Sequence, residues 1–150
     1  MVTLDYVPFT EIPLHIRGGV VLPLRIQSAM TTKVLRTRDF EFVVAPGIDG
    51  TATGQLYVDD GVSLNQPTTT DVMMNYKNGL LTVSGQFGYA TGVQVSRIRF
   101  LGVTKAPVSI MANYKVIELG GGQVSYDGTN KVLDVSVGLD FTEDFTVLFA

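Results

Sequence analysis

The stretch VMMNYKNGLLTVSGQF, residues 72–87, decides the fold class of this 150-residue chain. Two runs of β-favouring residues flank Asn78-Gly79, a pair that tolerates the positive φ angles of a type I′ turn. The stretch therefore predicts an antiparallel hairpin with its turn at Asn78 and Gly79. Similar short runs, rich in Val, Ile, Thr, Phe and Tyr, alternate with Gly, Asn and Asp along the rest of the chain. This pattern predicts an all-β protein.

Outward from this hairpin, the same pattern predicts further strands. FEFVVA (40–45) and QLYVDDG (55–61) flank a loop rich in Gly and Asp, and we expect them to pair as a hairpin. Residues 123–137 predict another hairpin around Asp127-Gly128. About eight to ten short strands at this spacing favour an antiparallel β-sandwich.

Composition narrows the classes of function. The chain has no cysteine, which excludes thiol catalysis, Cys-ligated zinc and disulfides. Its net charge is −3 and its 11 Lys and Arg form no basic block, so we expect no nucleic-acid partner. No apolar run approaches the roughly 20 residues that cross a bilayer, so we expect no membrane span.

The segment EIPLHIRGGVVLPLR, residues 11–25, contains the only histidine, His15, and an arginine two positions later, Arg17. On a strand these two side chains share a face and could act together in acid–base chemistry. The segment is, however, among the most apolar of the chain, and Gly18-Gly19 indicates a tight turn or a close backbone approach. A buried strand pair, with Arg17 bonded to a carboxylate, is favoured over an active site.

Asp59, Asp60 and Gly61 form the other candidate site. Adjacent carboxylates could bind calcium or act as a glycosidase pair. Neighbours on a strand point to opposite faces, however, and Asp-Gly is a common turn dipeptide. We therefore favour a turn and assign no catalytic, cofactor-binding or metal-binding residue. Carbohydrate binding stays open, although the chain has no Trp for an aromatic platform.

Two motifs in this order resemble glycoside hydrolase family 31, the retaining α-glucosidases. Residues 12–23 are similar to the pattern IPLHIRGGxxLP, which in that family closes the small β domain after the catalytic barrel. Residues 54–61 are similar to G-x-L-Y-x-D-D-G, near the start of the distal β-sandwich. The resemblance implies that residues 1–38 end the proximal β domain, as a strand pair and a connection, and that residues 39–150 form the distal sandwich. Residues 39–150 are then expected to fold without residues 1–38.

The family's catalytic carboxylates lie on a (β/α)₈ barrel, which needs roughly 250 residues by itself. No catalytic residue can therefore be carried over to this chain. The resemblance implies a non-catalytic C-terminal module that supports the barrel of the same enzyme, hydrolyses nothing alone, needs no cofactor and belongs to the secretory pathway or is secreted. Its motif residues would be structural: His15, Arg17, Gly18, Gly19, Asp59, Asp60 and Gly61. The alternatives are a free-standing carbohydrate-binding module and an adhesion or interaction sandwich.

Overall fold

The computed structural model describes Pro8, Thr10 and residues 14–150. In this part of the chain, eleven strands form one mixed sheet and the helix has only four residues. The elements in chain order are β1 (Val20–Arg25), α1 (Thr32–Leu35), β2 (Phe40–Ala45), β3 (Thr51–Val58), β4 (Thr70–Lys77), β5 (Leu80–Phe87), β6 (Gln94–Leu101), β7 (Ile110–Ala112), β8 (Lys115–Val116), β9 (Val124–Asp127), β10 (Val132–Asp140) and β11 (Phe145–Phe149). The all-β prediction is confirmed. Within the described ranges, no helix has the length and apolar character that a membrane crossing requires.

The strands lie in the order β8-β7-β11-β5-β4-β3-β1-β2-β6-β10-β9. Most neighbours are antiparallel, but β1 pairs in parallel with β3, and β2 pairs in parallel with β6. The prediction of a purely antiparallel sandwich is therefore wrong at these two junctions. The sheet curls, and strands from both halves bury side chains in a common core.

Strand β1 lies in the middle of the sheet. It forms six register pairs with β2 and one pair, Val20 with Thr53, with β3. The predicted hairpin between residues 40–45 and 55–61 is wrong, because β1 lies between these two strands. Val21, on the inner face of β1, is buried in the common core.

The resemblance assigned residues 1–38 to the proximal β domain, but β1 within this segment is a central strand of the sheet. Residues 20–25 find partners on both sides within the sheet, because the connection through α1 is long enough to return the chain as β2. The division into residues 1–38 and 39–150 stays a prediction from the family resemblance.

The hairpin predicted from residues 72–87 is confirmed. Strands β4 and β5 pair in antiparallel register from Thr70 with Phe87 to Lys77 with Leu80. The two residues between them have φ angles of 51° at Asn78 and 80° at Gly79, which both central positions of a type I′ turn require. The hairpin formed by β9 and β10 is confirmed as well.

Aromatic side chains form much of the core. Phe42 stacks on Phe145 with ring centroids 6.2 Å apart. Towards the other end of β11, Phe149 lies edge-on to Phe100 at 4.9 Å, and Tyr76 lies 5.7 Å from Phe100. Such pairs stabilise a core beyond the area that they bury.

A row of charged side chains crosses the outer face of β2, β6 and β10. Glu41 is only 7% exposed and accepts two hydrogen bonds from Arg97, from Nε to Oε1 and from Nη2 to Oε2, both 3.0 Å long. Arg99 lies 4.0 Å from the same carboxylate and donates two bonds, of 2.7 and 3.0 Å, to Asp134. The forked geometry fixes the register of three strands as well as pairing the charges.

Glu41→Ala is expected to lower the free energy of unfolding by about 1–2 kcal/mol, because it leaves the Arg97 fork without its acceptor. Partial exposure of Arg97 keeps the loss below that of a fully buried pair. Urea denaturation measures the effect. The exposed Glu118→Ala is the matched control and should change stability by less than about 0.5 kcal/mol. Equal losses in the two variants would contradict a stabilising role for the row.

Candidate functional site

The first motif, residues 12–23, contains the point where the chain enters the sheet, at Gly18 and Gly19. Gly19 has a φ of 91°, and its N–H donates to the carbonyl oxygen of Ala45 at 2.7 Å. Its own carbonyl accepts the N–H of Thr53 at 3.2 Å. A Cβ on Gly18 would lie 3.1 Å from the carbonyl oxygen of Pro46. The two glycines thus let the chain pass close to the end of β2 and begin β1.

The residues just before the two glycines lie on the surface. Residues 14–17, which include His15 and Arg17, are exposed and form no strand. The prediction that these two side chains lie in a buried strand pair is therefore wrong for the described residues. The physical reason is the turn at Gly18 and Gly19, which directs the preceding apolar residues away from the core. Residues 11–13 of the predicted first strand lie outside the described part.

The second motif forms a hydrogen-bonded turn after β3. Asp60 Oδ1 accepts the amides of Val62 and Ser63 at 2.9 Å, and Oδ2 accepts the Ser63 hydroxyl. The hydroxyl and then the amide of Ser63, followed by the Val62 amide, hold the pKa of the Asp60 carboxyl far below its usual value. Asp59 Oδ1 accepts the Gly61 amide at 2.8 Å. The two carboxylates therefore accept hydrogen bonds from different donors within their own turn.

Arg36 connects this turn to the segment after α1. Its Nη2 donates to the backbone carbonyl of Asp59 and lies 3.5 Å from the Asp59 carboxylate. Gly61 has a φ of 72°, and a Cβ there would lie 2.6 Å from Arg36 Nη1. The position therefore favours a glycine for its backbone angle, and a side chain there would also displace the Arg36 guanidinium.

Gly61→Ala is expected to lower the free energy of unfolding by about 1–2 kcal/mol, through the strained φ and the displaced guanidinium. Thermal unfolding of Gly61→Ala, Arg36→Ala and the double variant separates the two causes. If Arg36 contributes, the loss caused by Gly61→Ala is smaller in the Arg36→Ala background. Purely additive losses would contradict the Arg36 contribution.

The two motifs lie at opposite ends of the sheet. Gly19 bonds near the start of β3, whereas Asp59 follows its end, and eight strand residues span about 23 Å. The residues singled out from the sequence therefore form two clusters, not one site. Among the residues that the structure describes, no group of three or more His, Asp or Glu side chains is arranged to bind a metal.

A groove of about 700 Å³ lies at the end of the sheet where β1 begins. Tyr76 and Phe149 contribute aromatic rings to it, and Lys105 is its only charged lining residue in the described part of the chain. Ile48 and Val108 also line it, and they are fully exposed and 81% exposed. Sequence reasoning missed this groove because its lining comes from loops that are distant in the chain. The one available signal was a large apolar residue, Ile48, in a turn rich in Gly and Asp.

Comparisons with known proteins identify relatives of this chain. A probable α/β-glucosidase of Neosartorya fischeri is 42% identical over 141 residues, covering 94% of this chain and 15% of that protein. An α-glucosidase of Schizosaccharomyces pombe is 39% identical over 108 residues, covering 72% of this chain and 11% of that protein. The chain thus spans only a small part of the relatives it matches. No protein-family model matches it.

Solved structures share the fold. The catalytic subunit in an endoplasmic-reticulum glucosidase II complex superposes with a TM-score of 0.72 at 24% identity, covering 95% of this chain and 18% of that chain. An α-1,4-glucan lyase of Gracilariopsis lemaneiformis gives a TM-score of 0.67 at 17% identity. These likenesses show the fold, and the sequence relatives carry the family assignment. The chain belongs to glycoside hydrolase family 31, where it matches a C-terminal region of the glucosidases named above.

Proposed function

We propose that this chain is the non-catalytic C-terminal module of a retaining α-glucosidase and supports the catalytic barrel of the same enzyme. One observation carries the proposal: the 42% identical match covers 94% of this chain but only 15% of the relative. The barrel needs roughly 250 residues, more than the whole chain provides. The partner is therefore the barrel portion of the same polypeptide, and the substrate of the parent enzyme is terminal α-linked glucose.

The environment of the acidic side chains supports a module without its own active site. A retaining glycosidase needs two carboxyl groups about 5–5.5 Å apart that face one glycosidic bond. Asp59 and Asp60 are held by amides of their own turn. Glu41 and Asp134 are bonded to the guanidinium groups on β6. Each of these four carboxylates thus has a structural partner.

The purified chain is expected to hydrolyse no nitrophenyl α-glucoside, because the catalytic carboxylates belong to the barrel. The measurement is release of nitrophenol by protein that is free of host glucosidases, with the intact Neosartorya fischeri relative as the positive control. Turnover that disappears in Asp59→Asn or Asp60→Asn would contradict this expectation.

The supporting role is tested in the Neosartorya fischeri relative. Its matched C-terminal region is deleted in one variant and replaced by this chain in a second variant, the graft. We expect the deletion to lose soluble, active enzyme and the graft to recover it. A deletion variant with the activity and heat resistance of the intact enzyme would overturn the proposed function.

Carbohydrate binding is the alternative function, and one feature favours it. Tyr57 on β3 is 52% exposed, and Gln55 beside it donates to Asp71 on β4 at 2.9 Å. An exposed ring beside amide and carboxylate groups is a surface on which a sugar can stack and bond. Calorimetric titration with maltotriose tests this alternative. Binding that Tyr57→Ala abolishes would support it, and absence of heat at millimolar sugar would exclude useful affinity.

The cellular location follows from the same relation. A structural neighbour is an endoplasmic-reticulum glucosidase II, so we infer that the parent enzyme enters the secretory pathway. Expression of the parent enzyme with a C-terminal fluorescent tag distinguishes the secretory route from retention in the cytosol.

A further inference from the structure

The groove beside Gly18 and Gly19 has the properties of a docking surface. We propose that it binds the part of the same enzyme that precedes this chain, with Ile48 and Val108 on its rim and the segment 14–17 at its entrance. This inference rests on the proposed function and specifies which surface of the module supports the rest of the enzyme.

The first argument is the apolar character of the groove. Single exposed apolar residues are common on soluble proteins, but here they surround a concave surface. Ile48 is fully exposed and Val108 is 81% exposed, and the rings of Tyr76 and Phe149 line the groove between them. Exposed apolar patches that polar residues surround commonly mark surfaces that bind another protein. Burying these side chains would stabilise a complex by removing them from water.

The second argument is the path of the chain. A Cβ on Gly18 would lie 3.1 Å from the Pro46 carbonyl oxygen and 3.4 Å from Gly47 Cα, and both Pro46 and Gly47 line the groove. Ile16 is two residues away from Gly18, so its Cα lies within about 7 Å of it. Leu14, which is 87% exposed, lies within about 14 Å of Gly18 by the same reasoning. The chain therefore enters the sheet, at Gly18, directly against two lining residues of the groove.

The third argument identifies the occupant. The match lies in the C-terminal region of the relatives and covers 15% of the Neosartorya fischeri enzyme, so most of that enzyme precedes the matched region. The preceding part is joined to this chain on the N-terminal side of Gly18, the residue that lies against Pro46 and Gly47 of the groove. A tethered partner has a high effective concentration, so even a modest apolar contact stays formed. Lys105 in the lining, with Arg17 at the entrance, favours acidic groups on the rim of the partner surface.

A second set of exposed apolar residues supplies a matched control. Val62 and Leu64 are as exposed as the rim residues of the groove, but they follow the Asp59 turn at the opposite end of the sheet. The chain enters the sheet at the other end, about 23 Å away by the length of β3. Aspartate at Val62 and Leu64 therefore replaces two exposed apolar side chains by charged ones, as the substitutions at Ile48 and Val108 do, but on a surface that should stay in solvent.

Hydrogen exchange is the direct test. The amides of residues 47–50 and of residues 104–106 and 108 are compared between the isolated chain and the graft in the Neosartorya fischeri enzyme. Slower exchange of these two segments in the graft, with no change at residues 62–66, supports the proposal. Equal exchange of the groove segments in both proteins, or protection of residues 62–66 instead, overturns it. This readout does not depend on whether the graft is active.

Paired substitutions provide the second test. In the graft, Ile48→Asp with Val108→Asp should shorten the half-life of thermal inactivation about tenfold, as expected for losing central interface contacts. Val62→Asp with Leu64→Asp should leave the half-life unchanged, and the isolated chain should unfold at the same temperature with either pair. Equal effects of the two pairs, or equal destabilisation of the isolated chain by the groove pair, overturn the docking surface. The proposal is also overturned if the isolated chain self-associates, the substitutions Ile48→Asp and Val108→Asp abolish this association, and the same substitutions leave the graft unaffected.

An unsubstituted graft that is inactive counts instead against the proposed function. The docking surface can still be tested in that graft, because hydrogen exchange reports on the groove whether or not the enzyme is active.

Discussion

Gly79→Val is expected to lower the free energy of unfolding by about 3–5 kcal/mol, the largest single effect among the substitutions considered. Two causes act at this position. Gly79 has a φ of 80°, which a β-branched residue adopts only under strain. A Cβ there would also overlap the carbonyl oxygen of Phe149, and that backbone atom is fixed because the Phe149 N–H donates to the Gly79 carbonyl at 3.1 Å.

The melting temperature of the isolated chain measures this effect, with an expected fall of roughly 10 °C for a domain of this size. Gly92→Val is the matched control, because Gly92 has a φ of 66° but open space around its Cβ position. Its fall in melting temperature reports the backbone strain alone. If Gly79→Val destabilises no more than Gly92→Val, the overlap with β11 is not a constraint on the fold.

Gly54→Ala is expected to lower the free energy of unfolding by about 3 kcal/mol, although it adds a single methyl group. Gly54 lies on β3, where β1 passes close by, and its Cβ would overlap the carbonyl oxygen of Val21. It would also lie 3.0 Å from the Met74 side chain. Val21 is a buried residue of the central strand, so relief of the overlap requires β1 to move away from β3.

Urea denaturation gives the stability of this variant, and native-state hydrogen exchange shows where the loss occurs. Amides of β1 should exchange faster in Gly54→Ala than in the unsubstituted chain. Thr53→Ala is the control on the same strand; it should cost less than about 1 kcal/mol, the full range of strand propensities. A Gly54→Ala variant as stable as Thr53→Ala would contradict the close approach of β1 and β3.

Local signals in the sequence predicted local structure well. The turn at Asn78 and Gly79 follows from the φ angles that these two residue types tolerate, and the hairpin around it is present. The Asp59 to Gly61 segment forms a turn because short carboxylates accept nearby amides, as the Asp-Gly pair suggested.

Non-local pairing could not be predicted from the same signals. A loop between two strands usually joins neighbours in a sheet, so the loop 46–50 suggested that β2 pairs with β3. The pairing of β1 with both strands depends on the absence of a side chain at Gly54. It also depends on the two backbone hydrogen bonds that Gly19 forms with Ala45 and Thr53. The local composition does not indicate which distant strand packs against Gly54.

The burial of the first motif was mispredicted for a related reason. Leu14 and Ile16 are apolar, and apolar residues on a strand suggest a core position. The structure shows them exposed, because the turn at Gly18 and Gly19 directs the chain out of the sheet. Hydrophobic sequence alone cannot distinguish a residue buried within its own domain from one available to a neighbouring domain.

The central position of β1 determines how the module responds to mechanical load. A force applied through residues before Val20 acts along β1, and its six register pairs with β2 then share that force in shear. An edge strand such as β9, with one neighbour, can instead be peeled away one pair at a time. A connection through the middle of the sheet therefore distributes such a force over several strand pairs at once.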